Sequence, residues 1–253
     1  MDVKQRLLAV AGGFGYLTHA PVGRSEAAWD AFRREPVSIV VVGYAVGLIL
    51  AGIITLPIPA TMMGFVFPLT IVVLIGISHL DGVADCGDAV VAHGETEKKR
   101  DILKDTATGV GGIVAVGLVI LGLGTAGVAL TEIKTQTAIW IVLTAEVGAK
   151  LSMAILACIG SSAHEGLGSA LTSMSRPVES LYPLLGTVPV ILVSAVPYVS
   201  LLIIGVIVLT TAVIYRWANQ TFGGISGDIF GASNEIARVT GLQVGILLVS
   251  AGV

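Results

Sequence analysis

Residues 110–130 read VGGIVAVGLVILGLGTAGVAL, 21 residues without a charged side chain. As an α-helix such a run reaches about 30 Å, the thickness of a bilayer's hydrocarbon core. Its glycines let a neighbouring helix come close. Comparable apolar runs cover about Val37 to Leu56, Ala60 to Ser78, Ala138 to Gly160, Tyr182 to Pro197 and Tyr198 to Tyr215, with PIP at 57–59 as a tight turn between the first two. A last run, Val239 to Val253, is short for a span unless its helix begins before Arg238. The 253-residue chain is 55% hydrophobic and 12% charged, against about 25% charged in soluble domains. Its mean hydropathy is +0.93. These features predict an all-α fold, a polytopic integral membrane helical bundle with about six to seven transmembrane helices and cytoplasmic amphipathic helices. No internal repeat divides it, so residues 1–253 read as a single membrane-embedded domain. Cys86 and Cys158 have neither metal-site spacing nor a disulfide pattern and read as packing residues.

Residues 1–36 form a cytoplasmic or interfacial N-terminal segment. LLAVAGGFGYLTHAPV is too short and too broken to span, and no cleavage site follows Lys4 and Arg6, so no secretory signal is expected. SEAAWDAFRRE reads as an amphipathic surface helix capped by Ser25 and ended by Pro36. Alternating spans place residues 1–36, 79–109, 161–181 and 216–238 on one side. Those segments hold 12 of the 14 lysines and arginines. The bias predicts a multi-pass protein of the cell membrane with its polar, motif-bearing segments in the cytoplasm. No nucleic-acid partner is expected.

The sharpest polar stretch is HLDGVADCGDAVVAHGETEKKRDILKDTATGVGG, His79 to Gly112, with seven of the chain's 17 acids. Asp81, Asp85 and Asp88 stand at i, i+4 and i+7, on one face of a helix. Three carboxylates so placed repel one another unless a cation sits among them, and a hard divalent metal with oxygen ligands suits them. Gly82 and Gly87 beside them allow close approach. His79 can be a ligand, a base or a hydrogen-bonding helix end. Glu95 to Arg100 mix signs and read as an ordinary solvated helix, whereas Lys104 and Asp105 stand directly before the Thr/Gly-rich start of the 110–130 run.

Other candidates are dispersed. Glu146 and Lys150 stand four apart inside an apolar run, as a buried bridge or with the lysine offered to a phosphate. FGGISGDIFGASNEIAR, 222–238, joins a glycine turn able to cradle an anion (Gly223, Gly224, Gly227) to Asp228 and Glu235, again on one helix face. It is not a Walker A loop, for no Gly-Lys-Ser/Thr follows. His164 and Arg176 lie in the loop between the fourth and fifth runs.

Taken in order, YLTHAPV at 16–22, HLDGVADCGDAV at 79–90, DILKDTATGVGG at 101–112, AHEGLGSAL at 163–171 and GGISGDIFGA at 223–232 with Glu235 after it resemble the cobalamin synthase family, the adenosylcobinamide-GDP ribazoletransferases. The ordered set covers nearly the whole chain. The resemblance implies a Mg²⁺-dependent membrane enzyme of late vitamin B12 assembly, acting on adenosylcobinamide-GDP and α-ribazole or its 5′-phosphate and releasing GMP. It implies Asp81, Asp85 and Asp88 as metal ligands with Asp228 a candidate for the same site. Asp81, Asp85 and His79 are the catalytic candidates, and the sequence leaves open whether His79, His164 or an acid serves as a general base. Lys104, Asp105, Lys150, His164, Arg176, Gly224, Gly227 and Glu235 are then substrate-binding candidates, with membrane lipid around the bundle and a homo-oligomer admitted. Ala89 after Asp88, Thr106 and Ala107 after Asp105, Lys150 and His19 depart from the family pattern. Two other readings stay open. A CDP-alcohol phosphotransferase also opens Asp-Gly-x-Ala, but Asp85 stands where its arginine belongs. A transporter would use the Glu146/Lys150 pair.

Overall fold

The computed structural model describes residues 2–92, 96, 99, 103 and 107–252. All regular elements among them are helical, apart from one isolated bridge between Ser162 and Ile225. The helices are α1 (Val3–Leu17), α2 (Glu26–Phe32), α3 (Val37–Ile54), α4 (Ala60–Ile75), α5 (Ser78–Val91), α6 (Val110–Leu130) and α7 (Thr135–Ile159). They continue with α8 (Leu167–Thr172), a 3₁₀ turn (Pro177–Ser180), α9 (Leu181–Leu185), α10 (Val188–Leu192), α11 (Pro197–Phe222) and α12 (Gly227–Ser250).

Helix α7 is the axis. Its apolar window is 94% buried, against 28% for α6. Helix α3 fits against α7 through Gly43 and Gly47. A Cβ on Gly47 would stand 2.8 Å from Leu143 Cδ1, and one on Gly43 3.0 Å from Lys150 Cγ. Small residues at such seams are how helices pack when water supplies no drive between them. The expected Ser25 cap is present, accepting from Ala28 N at 3.2 Å, and α1 and α2 form a hairpin around Tyr16, Trp29 and Phe32.

Four helices, α3, α6, α7 and α11, are long and apolar enough to cross a membrane, or five if α4 and α5 count as one bent span. The chain is therefore a helical membrane protein. The remaining expected spans are present in altered form. The second stops at Ile75, where Gly76 at φ +88° turns the chain through 102° into α5. His19 satisfies the carbonyls freed there: its backbone N donates to Leu74 O at 2.8 Å and its Nδ1 lies 3.1 Å from Val73 O. The run expected as a fifth span, Tyr182 to Pro197, is no continuous helix. Pro183, Gly186 and Pro189 divide it into α9 and α10. Tyr44 repairs the break, its hydroxyl donating to Gly186 O at 2.9 Å and accepting from Val190 N at 3.1 Å. Irregular backbone at membrane depth needs such a protein partner. The marginal last run is resolved the other way: it is the second half of α12, which begins at Gly227.

The connections sort by end. The end of α1 and the residues after α4, α7 and α11 converge on one cavity, which Tyr16, Ser78, His164 and Gly227 all line. The opposite end carries only the short turns, where Glu132, Lys134, Val196 and Ser250 border a separate cavity.

Candidate active site

The convergent cavity has a volume of about 510 Å³ and is lined by Tyr16, His79, Asp81, Leu103, His164, Asp228 and others. Two glycines make it. A Cβ on Gly82 would stand 2.9 Å from Asp228 Cα, and one on Gly231 would stand 2.9 Å from His79 Cα. Helices α5 and α12 thus cross backbone against backbone, which brings Asp81 and Asp85 of one beside Asp228 of the other. Ser226 caps α12, accepting from Ile229 N at 3.4 Å and donating to Asp228 Oδ2 at 3.1 Å.

The carboxylates feel one another. The Asp85 carboxyl is pushed up to about 7, by burial first and then by the charges of Asp228, Asp81 and Asp88. Asp88 has an additional task. Its Oδ2 accepts from Gly109 N at 2.7 Å and its Oδ1 from Gly112 N at 2.9 Å, so it caps the start of α6 from another helix. Among the described residues no three His, Cys, Asp or Glu side chains converge as a ready-made metal site.

His164 lines the cavity with its Nδ1 2.9 Å from Glu165 O. Gly227 lies at the wall, in the first turn of α12. Gly224, at φ +159°, is packed on the backbone of residues 161–163, and the next N–H, of Ile225, donates to Ser161 O at 2.7 Å. That turn therefore ties two loops together. Arg176 stands outside the cavity lining, its backbone N donating to Glu179 Oε2 at 2.9 Å. Lys104 and Asp105 lie outside the described residues.

Lys150 and Glu235 sit behind the cavity, in a cluster no more than 2% exposed. Lys150 Nζ donates to Glu146 Oε1 at 3.1 Å and to Asn234 Oδ1 at 2.7 Å. Arg238 Nε donates to Glu146 Oε2 at 2.6 Å, its Nη2 to Glu146 Oε1 at 3.2 Å and its Nη1 to Glu235 Oε2. Asn234 Nδ2 donates to Glu235 Oε1 at 3.0 Å and faces His79 Nδ1 at 3.1 Å. Two acids and two bases balance, so the ion cluster is neutral and each member is partnered, as charges in an apolar interior must be. Its last link, His79, reaches the cavity wall, and burial lowers the pKa of its ring.

Two members of this cluster were not legible as site residues. Arg238 reads in sequence as a loop cation on the cytoplasmic side, yet it lies inside α12 at 1% exposure. Asn234 reads as a polar residue of a glycine-rich turn and is fully buried. The available signal was spacing: Glu235 and Arg238 stand three apart, as Glu146 and Lys150 stand four apart.

A helical membrane bundle whose glycine-crossed α5 and α12 hold facing carboxylates at one end defines a polytopic membrane protein with a polar cavity at that end. A family model described as Cobalamin-5-phosphate synthase matches residues 9–246. A protein of Halorubrum lacusprofundi named adenosylcobinamide-GDP ribazoletransferase is 44% identical over 252 residues, covering 95% of this chain and 97% of its own. Proteins of the same name from Haloquadratum walsbyi and Methanococcoides burtonii are 42% and 34% identical, over 95% and 94% of this chain and 97% and 91% of theirs. The chain belongs to the cobalamin-5-phosphate synthase family. No solved structure matches it.

Proposed function

We propose that this chain is an adenosylcobinamide-GDP ribazoletransferase of the cell membrane. It joins adenosylcobinamide-GDP to α-ribazole, or to α-ribazole 5′-phosphate, at the end of cobalamin synthesis. The observation that carries the reading is the facing set Asp81, Asp85 and Asp228 in a chain that the family model matches over residues 9–246. In the reaction the ribazole hydroxyl oxygen bonds to the phosphorus nearer the corrinoid. The bond from that phosphorus to the bridging oxygen breaks, GMP departs with the bridging oxygen, and the hydroxyl proton is released to a carboxylate or water.

The donor set fits Mg²⁺ in chemistry. Its groups are oxygens, and their charges add to burial in raising Asp85. Mg²⁺ takes one or two carboxylates plus substrate phosphates and keeps waters, so a closed cage of three protein ligands is not required. Asp81, Asp85 and Asp228 would hold it, and it would neutralise the diphosphate. Asp88 then serves by anchoring α6. His164 and the first turn of α12, at Gly227, supply polar contacts around the phosphates. Catalysis is mostly positioning and charge neutralisation. The distribution of Lys and Arg supports a cytoplasmic site, even with Arg238 removed from the count.

The test is purified, detergent-solubilised protein with adenosylcobinamide-GDP and α-ribazole, with and without Mg²⁺, followed by GMP release. Mg²⁺-dependent GMP formation, abolished by Asp81→Asn in a protein that still folds, is the expected result. Corrinoid-independent release, or none, overturns the reading.

A further inference from the structure

Which proton His79 carries follows from the chemistry of its neighbours. Asn234 is fully buried between Lys150, Glu235 and His79. A lysine ammonium only donates, so the Asn234 atom 2.7 Å from Lys150 Nζ must be the carbonyl oxygen. A carboxylate only accepts, so the atom 3.0 Å from Glu235 Oε1 must be the amide nitrogen. Both ends fix the same orientation of the amide. Its nitrogen has two hydrogens. One goes to Glu235, and the other points to His79 Nδ1 at 3.1 Å. That ring nitrogen must then accept, and it cannot carry a proton. The alternative, an Nδ1–H aimed at Glu235 Oε1, spans the longer 3.5 Å and would set an N–H against the amide N–H.

We infer that Asn234, held by Lys150 and Glu235, is a positioning residue that fixes His79 as the neutral tautomer protonated on Nε2, so that His79 donates a hydrogen bond into the cavity and is not the general base. Of the two ring nitrogens only Nε2 remains for a ligand in the cavity that His79 lines. There it is a fixed N–H donor to an oxygen of a bound diphosphate. Its only lone pair, on Nδ1, is already spent on Asn234. The buried ion cluster thereby acquires a purpose beyond packing: it orients the amide that orients the ring, as outer partners set the tautomer of functional histidines. The tautomer stands on geometry alone, whereas the donor role rests on the transferase reading above.

Two measurements test it. The first is ¹⁵N-histidine NMR of the full chain in detergent, with the His79 signals assigned by their loss in His79→Gln. The expected spectrum has a protonated Nε2 and a bare, hydrogen-bonded Nδ1. Asn234→Leu, similar in volume but without the amide, loses that single tautomer, and Asn234→Asp, which puts an acceptor against Nδ1, reverses it. A protonated Nδ1 in the unmodified protein, or an unchanged spectrum in a folded Asn234→Leu, overturns the inference. The second is GMP release. Glutamine keeps an N–H near the position of Nε2 but has no basic nitrogen. His79→Gln therefore stays within roughly tenfold of the parent, while His79→Ala falls about 10²–10³-fold, the usual loss for one transition-state donor. Equal loss in both variants identifies a base and overturns the donor role. Absence of turnover in the unmodified protein counts against the transferase reading, and the spectrum still decides the tautomer.

Discussion

Arg238 Nε donates to Glu146 Oε2 at 2.6 Å, and this contact ties α12 to the bundle axis α7 where both are almost fully buried. Removing one partner strands a charge in an apolar interior, which costs about 3–5 kcal/mol. Arg238→Met and Glu146→Leu alone are expected to lower the melting temperature in detergent sharply. The double variant is expected to recover part of the loss, because the cluster is neutral again and Lys150 and Glu235 both keep their bonds to Asn234. A double variant as unstable as the sum of the two would show that the ions do not act as a pair.

Asp88 holds Gly109 N, at the N-cap of α6, and Gly112 N, in its first turn. Loss of such a cap costs about 1–2 kcal/mol. Asp88→Ala is expected to destabilise by that amount and to reduce GMP release without changing the Mg²⁺ concentration that half-saturates it. Asp81→Asn is expected to abolish release outright. A raised Mg²⁺ requirement in Asp88→Ala would return Asp88 to the metal ligands.

The glycines at the α5/α12 crossing have no slack. A Cβ on Gly82 or Gly231 meets backbone of the other helix, which cannot swing aside as a side chain can. Gly231→Ala is expected to cost about 1–3 kcal/mol and to cut turnover by moving His79 relative to Asp228. Gly117→Ala, where nothing lies within 4 Å, is the control and is expected to leave both unchanged. Equal behaviour of the two variants would sever the link between the crossing and the site.

The membrane class was plain from runs such as residues 110–130, because burial in lipid leaves a composition that nothing soluble shares. The i, i+4, i+7 spacing of Asp81, Asp85 and Asp88 also carried over, since one helix decides it. What spacing could not decide was which helix would answer. Asp88 turned to the amides of α6, while Asp81 and Asp85 met Asp228, which is 143 positions beyond Asp85 in the chain. The break at Gly186 escaped hydropathy because its repair comes from Tyr44, 142 residues away. Arg238 escaped for a similar reason: a charge counts as exposed until its buried partners are known. Long-range pairing of polar groups inside an apolar bundle leaves little local signal.

Asp85 makes the site's chemistry depend on pH. Its carboxyl is raised from 3.8 to about 7 by burial and by its acidic neighbours. The folded protein therefore binds a proton that the unfolded chain has already lost between those values. That contribution to stability is complete below about 3.8 and disappears as pH rises through about 7. Protein stripped of divalent metal with EDTA is thus expected to melt lower at pH 8 than at pH 5. Cation binding has the opposite sign, since it needs the carboxylate. Added Mg²⁺ is expected to raise the melting temperature at pH 8 and to do little at pH 5, and the Mg²⁺ needed for half-maximal GMP release should climb as pH falls below 7. Asp85→Asn removes the titrating group and with it the pH-dependent part of the Mg²⁺ effect. Melting curves of the two proteins, with Mg²⁺ and with EDTA at both pH values, measure each of these differences, and an Asp85→Asn variant with the parent's pH dependence would place the proton elsewhere.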